Sequence, residues 1–163
     1  RYTIFMEVNA VGKECAEVDR AYLAGLIDGD GAIMAIIEPH SEKKFRFRVR
    51  IELKVTQKYK EDLRCMEELL GCGKIRTNRT TCDWTTRDQQ EILRILSYIR
   101  PHSRMKLRQI DIASEIICTP VREYRALKRV ALLADALSKF NVRSKNRRKN
   151  YAAMIQAYSS SND

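Results

Sequence analysis

The hydrophobic period of this chain changes several times, and each change marks an element. From Asp19, a residue type suited to an N-cap, apolar positions recur at helical spacing as far as Asp28. The period then becomes two. AIMAII, residues 32–37, and FRFRVRIELKV, residues 45–55, read as two strands joined by the polar EPHSEKK loop. In the second strand Phe45, Phe47, Val49, Ile51, Leu53 and Val55 share one side, and Arg46, Arg48, Arg50, Glu52 and Lys54 share the other.

After VTQK the helical period returns, with Leu63, Met66, Leu69 and Leu70 on one face and Gly71 as a C′ stop. KIRTNR and CDWTTR follow as a second strand pair with a turn near Thr80, Trp84 falling on the apolar side. Helices are expected over 88–99, with Ile92, Leu96 and Ile99 inward, over 105–118, and over 121–139, where Tyr124, Leu127, Val130, Ala134 and Leu137 form the apolar side. The basic connector RSKNRRKN leads to a last short helix, YAAMIQAY.

The order is αββαββα with helices appended. It predicts an α+β fold: a four-stranded antiparallel, saddle-like sheet covered by helices on one face and bare on the other. Residues 1–18 form an extension without a recognisable motif, 19–140 the core, and 141–163 the connector and terminal helix.

Charge sharpens this picture. The 163 residues carry 31 Lys and Arg against 21 Asp and Glu, a net charge of +10, which favours a polyanionic partner. No basic amphipathic helix and no transmembrane run points to a membrane. Five cysteines without a CxxC pair, and two histidines, speak against a zinc module and for reduced, mostly buried thiols.

The cations fall on the uncovered side of the sheet. Four of the five outward positions in the second strand are cationic, and Lys74, Arg76 and Asn78 repeat that spacing in the second hairpin. Like charges on adjacent strands repel unless an anion lies across them. Strands enter the major groove of DNA, where Arg, Lys and Asn read guanine and adenine edges. Ten strand residues span roughly 33 Å, about ten base pairs. The expected DNA-binding residues are therefore Met34, Ile36, Glu38, Arg46, Arg48, Arg50, Glu52, Lys54, Lys74, Arg76, Asn78, Asp83 and Thr85. Among them the apolar side chains suit thymine methyls, and Asp83 and Thr85 the cytosine amine.

LAGLIDGDG, residues 23–31, carries the candidate chemistry. Gly25 and Gly29 lie four apart and permit close approach of a second helix. Two copies packed at a two-fold axis would bring two Asp30 carboxylates together. At about 5 Å and an effective dielectric near 20 their repulsion is about 3 kcal/mol, which a proton or a divalent cation would offset.

The stretch resembles the signature of the LAGLIDADG homing endonucleases, with Gly29 where alanine is usual. The similarity runs over residues 21 to about 140 and takes in VTQK, GCGKIR and RPHSRMKLRQ. It implies a site-specific endonuclease that cuts both strands of a long pseudo-palindromic DNA target, of the kind encoded in mobile introns or inteins. Asp30 and the Gly29 carbonyl would bind Mg²⁺, with Mn²⁺ or Ca²⁺ as substitutes. Gln57 and Lys106 would position water and stabilise charge. Asp28 is expected to cap or orient the helix end. Where some relatives carry another cation, this chain has Glu61, with Lys60 beside it.

Only one copy of the motif is present, since LLADALSKF at 132–140 lacks the glycines and the final aspartate. A single motif implies a homodimer, with Leu23, Gly25, Leu26 and Gly29 at the interface. The resemblance also implies an intracellular setting, in a chloroplast or mitochondrion, with archaeal or bacterial cytoplasm as alternatives. The competing reading is a nucleic-acid-binding protein that does not cleave, such as an RNA maturase or a DNA-binding regulator.

Overall fold

The computed structural model describes residues 15–141 and 150–160. Most of the N-terminal extension and most of the RSKNRRKN connector therefore lie outside the described residues. The elements run α1 (Glu17–Asp30), β1 (Gly31–Pro39), β2 (Phe47–Gln57), α2 (Glu61–Leu70), β3 (Lys74–Thr77), β4 (Cys82–Thr86), α3 (Gln89–Ile99), α4 (Leu107–Cys118), α5 (Tyr124–Asn141) and α6 (Tyr151–Ser160). The four strands form one sheet in the order β1-β2-β4-β3, every pairing antiparallel. This is the α+β arrangement expected from the sequence.

Strand alternation builds the core. Ile33 and Ile37 of β1, Phe47, Ile51, Leu53 and Val55 of β2, and Cys82 and Trp84 of β4 are buried. Helices α1 to α5 all contact the sheet and bury their apolar stripes on this side, including Leu63, Met66 and Leu70 of α2 and Leu127, Val130, Ala134 and Leu137 of α5. Leu69, expected inward, is half-buried. Gly71 ends α2 in the left-handed region at φ 66. Gly73, at φ 84, lies against the Trp84 indole, where a Cβ would come within 2.4 Å of the ring. Trp84 Nε1 donates to the Cys72 carbonyl at 3.1 Å, so the lone tryptophan is buried with its polar atom satisfied.

Among the described residues, edge strand β1 is closed by side chains rather than by another strand. Asn141 donates to the Ile33 carbonyl, and Tyr151 Oη donates to the Ala35 carbonyl at 3.1 Å. Tyr151 and Ile155 belong to the core, so α6 packs as part of the body and not as an appendage. Where β2 runs past β4, Gln89 takes the place of a strand: Ile51 N–H donates to its Oε1 at 2.8 Å and its Nε2 donates to the Ile51 carbonyl at 2.9 Å.

Several boundaries differ from expectation. α1 begins at Glu17, with Ala16 as N-cap and no side-chain cap, so Asp19 lies inside the first turn. It also continues through Asp30 rather than stopping at Asp28. β2 begins at Phe47 because Arg46 sits at φ 61 in the loop, outside the extended region. α5 begins at Tyr124, three residues after its expected start. Of the cysteines, all five are free, but only Cys15 and Cys82 are buried.

Candidate functional site

The site forms where α1 ends beside the last residue of β2. Gln57 has the same parity as Leu53 and Val55, so it lies on the helix-covered side of the sheet, at the end of its apolar row. The C-terminal tip of α1 packs there. Gln57 Nε2 donates to Asp30 Oδ2 at 2.7 Å. The Asp30 carboxylate is exposed and stands at the negative end of the α1 dipole.

Lys106 reaches the same tip, where its Nζ donates to the Asp28 carbonyl. Burial pushes the Lys106 ammonium below the usual lysine range, while Asp28 and Asp30 pull it back up. Asp30, Gln57 and Lys106, expected together from the sequence, therefore meet at one point. Gly29 is exposed beside them.

Asp28 has a larger part than its own helix end. Its carboxylate accepts from Ser103 Oγ and from the backbone N–H groups of Arg104 at 2.7 Å, Met105 at 3.1 Å and Lys106 at 3.2 Å. Burial alone would raise its pKa, but these four donors hold the carboxyl below its ordinary value. The segment 103–106 is thereby wrapped around Asp28, and α4 starts at Leu107 rather than 105. Asp28 thus anchors the segment that carries Lys106.

A hard divalent cation fits this donor chemistry, since carboxylate and helix-end carbonyl oxygens are what Mg²⁺ and Ca²⁺ accept. Among the described residues no group of three or more His, Cys, Asp or Glu stands ready to hold a metal. At the tip of α1 the groups of that donor type are the Asp30 carboxylate and the backbone carbonyl of Gly29.

The face of the sheet away from the helices carries the predicted interface row by row. Ala32, Lys54, Thr85 and Lys74 stand opposite one another across the strands, as do Thr56, Asp83 and Arg76. Met34 faces Glu52, Ile36 faces Arg50 and Glu38 faces Arg48. The face is a mosaic of signs. Glu38 pairs with Arg50 at 3.3 Å and Arg48 at 3.8 Å, Asp83 pairs with Lys54 at 2.8 Å, and Glu52 pairs with Arg87. Two expected members depart from the row. Arg46 lies in the loop before β2, its guanidinium held by the Ser41 carbonyl, and Asn78 lies in the β3–β4 turn.

Sequence reading passed over Thr56 and Arg87, although the alternations Lys54–Thr56 and Asp83–Thr85–Arg87 place both on this face. One interface residue needs correction. Leu23 has no exposed surface and belongs to the core. Two residues from Gly25 on a helix, it points to the opposite side. The open face of α1 carries Val18, 80% exposed, Tyr22, 53% exposed, and Ala21, Gly25 and Gly29, with Leu26 half-buried.

The arrangement is thus an acid-tipped helix with an amide and a lysine at its end, at the margin of a cation-rich sheet. The LAGLIDADG endonuclease profile matches residues 23–115, more than half of the 163 residues, and the chain belongs to that family. It is similar to the DNA endonuclease I-CreI of Chlamydomonas reinhardtii, 30% identical over 98 residues, covering 59% of this chain and 60% of that protein. The match to the DNA endonuclease I-CvuI of Chlorella vulgaris is 28% identical over 120 residues, covering 71% and 74%. The chain thus spans under two thirds of the I-CreI length and about three quarters of that of I-CvuI.

Solved structures agree on the fold. The homing endonuclease I-CvuI in complex with the I-CreI target superposes with a TM-score of 0.77 at 25% identity, over 86% of this chain and 92% of that one. An archaeal intron-encoded homing endonuclease, I-Vdi141I, complexed with DNA, gives 0.75 at 21% identity, over 88% and 98%.

Proposed function

We propose that the protein is a site-specific homing endonuclease that hydrolyses one phosphodiester in each strand of a long, pseudo-palindromic DNA target. The observation that carries this reading is the Gln57–Asp30 hydrogen bond at the tip of α1, with Lys106 against the adjacent Asp28 carbonyl. Three residues distant in sequence converge at the margin of the face that carries Arg48, Arg50, Lys54, Lys74 and Arg76. Those residue types bind phosphate and read purine edges. The named relatives are DNA endonucleases, and I-CvuI has been crystallised with DNA targets in the presence of 2 mM Mg, with the DNA not cleaved, and of 2 mM Ca.

Asp30 and the Gly29 carbonyl would hold Mg²⁺. When bound, such an ion lowers the pKa of water and stabilises charge on the phosphate. Gln57 fixes the Asp30 rotamer and leaves its own carbonyl oxygen to orient a water. Lys106 supplies positive charge toward the phosphate oxygens as the water oxygen bonds to phosphorus and the sugar oxygen departs.

A homodimer completes the assembly. Among the described residues, a Cβ built at Gly25 or Gly29 meets nothing within 4 Å. The open face of α1 is therefore free for a second copy, which would add the second acidic tip. In this chain no described helix is long and apolar enough to cross a membrane. The algal sources of the two relatives support a chloroplast setting.

The test is cleavage selection. The full chain is incubated with a library of long duplexes and Mg²⁺, and cut products are sequenced. The expected result is double-strand cleavage at one preferred target, abolished by EDTA, with Asp30→Asn still binding that target and leaving it whole. If the parent binds duplexes and never cuts, or if Asp30→Asn cuts as fast as the parent, the endonuclease reading is wrong.

A further inference from the structure

On the uncovered face of the sheet the acids are recessed and the cations stand around them. Glu52 is 7% exposed and Asp83 8% exposed, whereas Lys74, Arg76 and Arg87 are exposed. They border a shallow depression of about 510 Å³ over β2, β4 and β3. Asp83 is the hub of its floor. Its Oδ1 accepts from Thr56 Oγ1 at 2.6 Å, and its Oδ2 takes Lys54 Nζ at 2.8 Å and Asn78 Nδ2. Lys54 and Thr56 come from β2 and Asn78 from the β3–β4 turn, so one carboxylate ties two structural units together.

Three of the roughly four lone-pair sites of a carboxylate are then occupied. A cytosine amine has little of Asp83 left to find. The donors, by contrast, keep free hydrogens. An ammonium has three and spends one on Asp83, while the Asn78 amide retains one N–H and its carbonyl oxygen.

We propose that Asp83 is a positioning residue for sequence discrimination and not a base reader. It fixes Lys54 and Asn78 relative to each other, so that the two present a set donor array to the acceptor atoms of neighbouring purines in the major groove. Lysine has a long, rotamer-rich stem. Held by Asp83, it meets guanine O6 or N7 from one direction, and Asn78 offers the amide pairing that suits adenine. Without the carboxylate the ammonium swings toward any phosphate or acceptor within reach, and the array loses its selectivity. Glu52 holds Arg87 in the same manner two rows from Asp83. This inference rests on the DNA-cleaving reading and deepens it.

The experiment measures cleavage of a duplex library with each half-site position randomised, using the full chain with Mg²⁺. Parent, Asp83→Asn, Lys54→Met, Asn78→Ala and the Asp83→Asn/Lys54→Met pair are compared. The isosteric Asp83→Asn is expected to lower the ratio of preferred to other bases about ten-fold at one or two adjacent positions, with ratios elsewhere at parent values. Lys54→Met should lose the same positions, and the pair should lose no more than Lys54→Met alone. Asp83→Asn lowering cleavage of all targets equally, as lost stability does, overturns the proposal. So does a loss confined to targets with cytosine at that position, which marks direct reading by the carboxylate. Should Asp83→Asn not fold, Lys54→Met and Asn78→Ala must still act at the same or adjacent base pairs, and widely separated positions overturn the proposal. A parent without base preference anywhere sinks the DNA-cleaving reading itself. A parent with preferences that Asp83→Asn leaves intact sinks only the positioning role.

Discussion

Gln57 and Asp30, 27 positions apart in the chain, are joined by a 2.7 Å hydrogen bond from the amide of one to the carboxylate of the other. The bond exists because two periodicities end at the same place. The apolar row of β2 runs out at Gln57, and α1, which contacts β2 and buries Leu23, Ala24 and Ile27 in the core, runs out at Asp30. A polar residue at the end of an apolar row has no core to join, so it turns to the helix tip. Removing the amide frees the Asp30 rotamer at the point where geometry counts. Gln57→Ala should slow single-turnover cleavage roughly 100-fold, the scale of a misplaced catalytic group, with target affinity in a gel-shift assay close to the parent's. Gln57→Glu should be slower still at low Mg²⁺, because a second carboxylate replaces the donor, and should recover in part as Mg²⁺ is raised.

Asp28 predicts a stability effect with a defined pH dependence. Four donors converge on its carboxylate, and its folded pKa lies below the usual value. The folded protein thus keeps the charge at pH values where the unfolded chain has taken up a proton. The stabilisation is complete above the unfolded value, about pH 4, and is lost as pH falls through the depressed folded value. Asp28→Ala strands three backbone N–H groups and a hydroxyl and should cost about 3 kcal/mol at neutral pH, read as a lower denaturation midpoint. Asp28→Asn, which keeps the shape without the charge, should show a shallower loss of stability below pH 4 than the parent.

Lys106 predicts an alkaline limb. Burial lowers its pKa more than Asp28 and Asp30 raise it, so it loses its proton at a lower pH than an exposed lysine near 10.4. If its charge assists cleavage, the rate should fall as pH rises through that depressed value. Lys106→Met should be slow at every pH, by about 100-fold or more, with no such limb. Lys106→Arg, which stays charged, should move the limb out of range even where its absolute rate is lower.

Period and punctuation made most of the fold legible. FRFRVRIELKV announced β2, VTQK its end, and Gly71 the stop of α2. The family resemblance singled out Asp30, Gln57 and Lys106, and the contacts of Asp30 with Gln57 and of Lys106 with the Asp28 carbonyl bring them to one helix tip. Tertiary contacts decided the rest. Arg46 leaves the strand pattern because the loop turns at φ 61, and α4 starts late because Asp28 has already claimed the N–H groups of 104–106. Burial of Glu52 and Asp83 was hidden as well: alternation sends them to the open face, and only the cations across the strands reveal that they form its floor. Leu23, expected at the interface beside Gly25, lies in the core, as the helical period that separates the two already requires.

The glycines of the motif make the last prediction, because they divide into two kinds. Gly31 is required within the protomer, where an added Cβ would lie 2.6 Å from the Ile27 carbonyl oxygen and 2.8 Å from its Cα. Gly31→Ala should therefore unfold the monomer at lower denaturant. Gly25 and Gly29 face open space among the described residues, none of which asks for glycine there. Inside a helix, alanine is favoured over glycine by about 1 kcal/mol, so Gly25→Ala should raise the stability of an isolated protomer. Gly25→Leu should leave the fold intact yet hold two α1 helices apart at their closest point. In sedimentation at micromolar concentration the parent should run as a dimer and Gly25→Leu as a monomer, with cleavage lost and far-UV dichroism retained. A Gly25→Leu protein that remains dimeric and cuts both strands removes α1 from the interface.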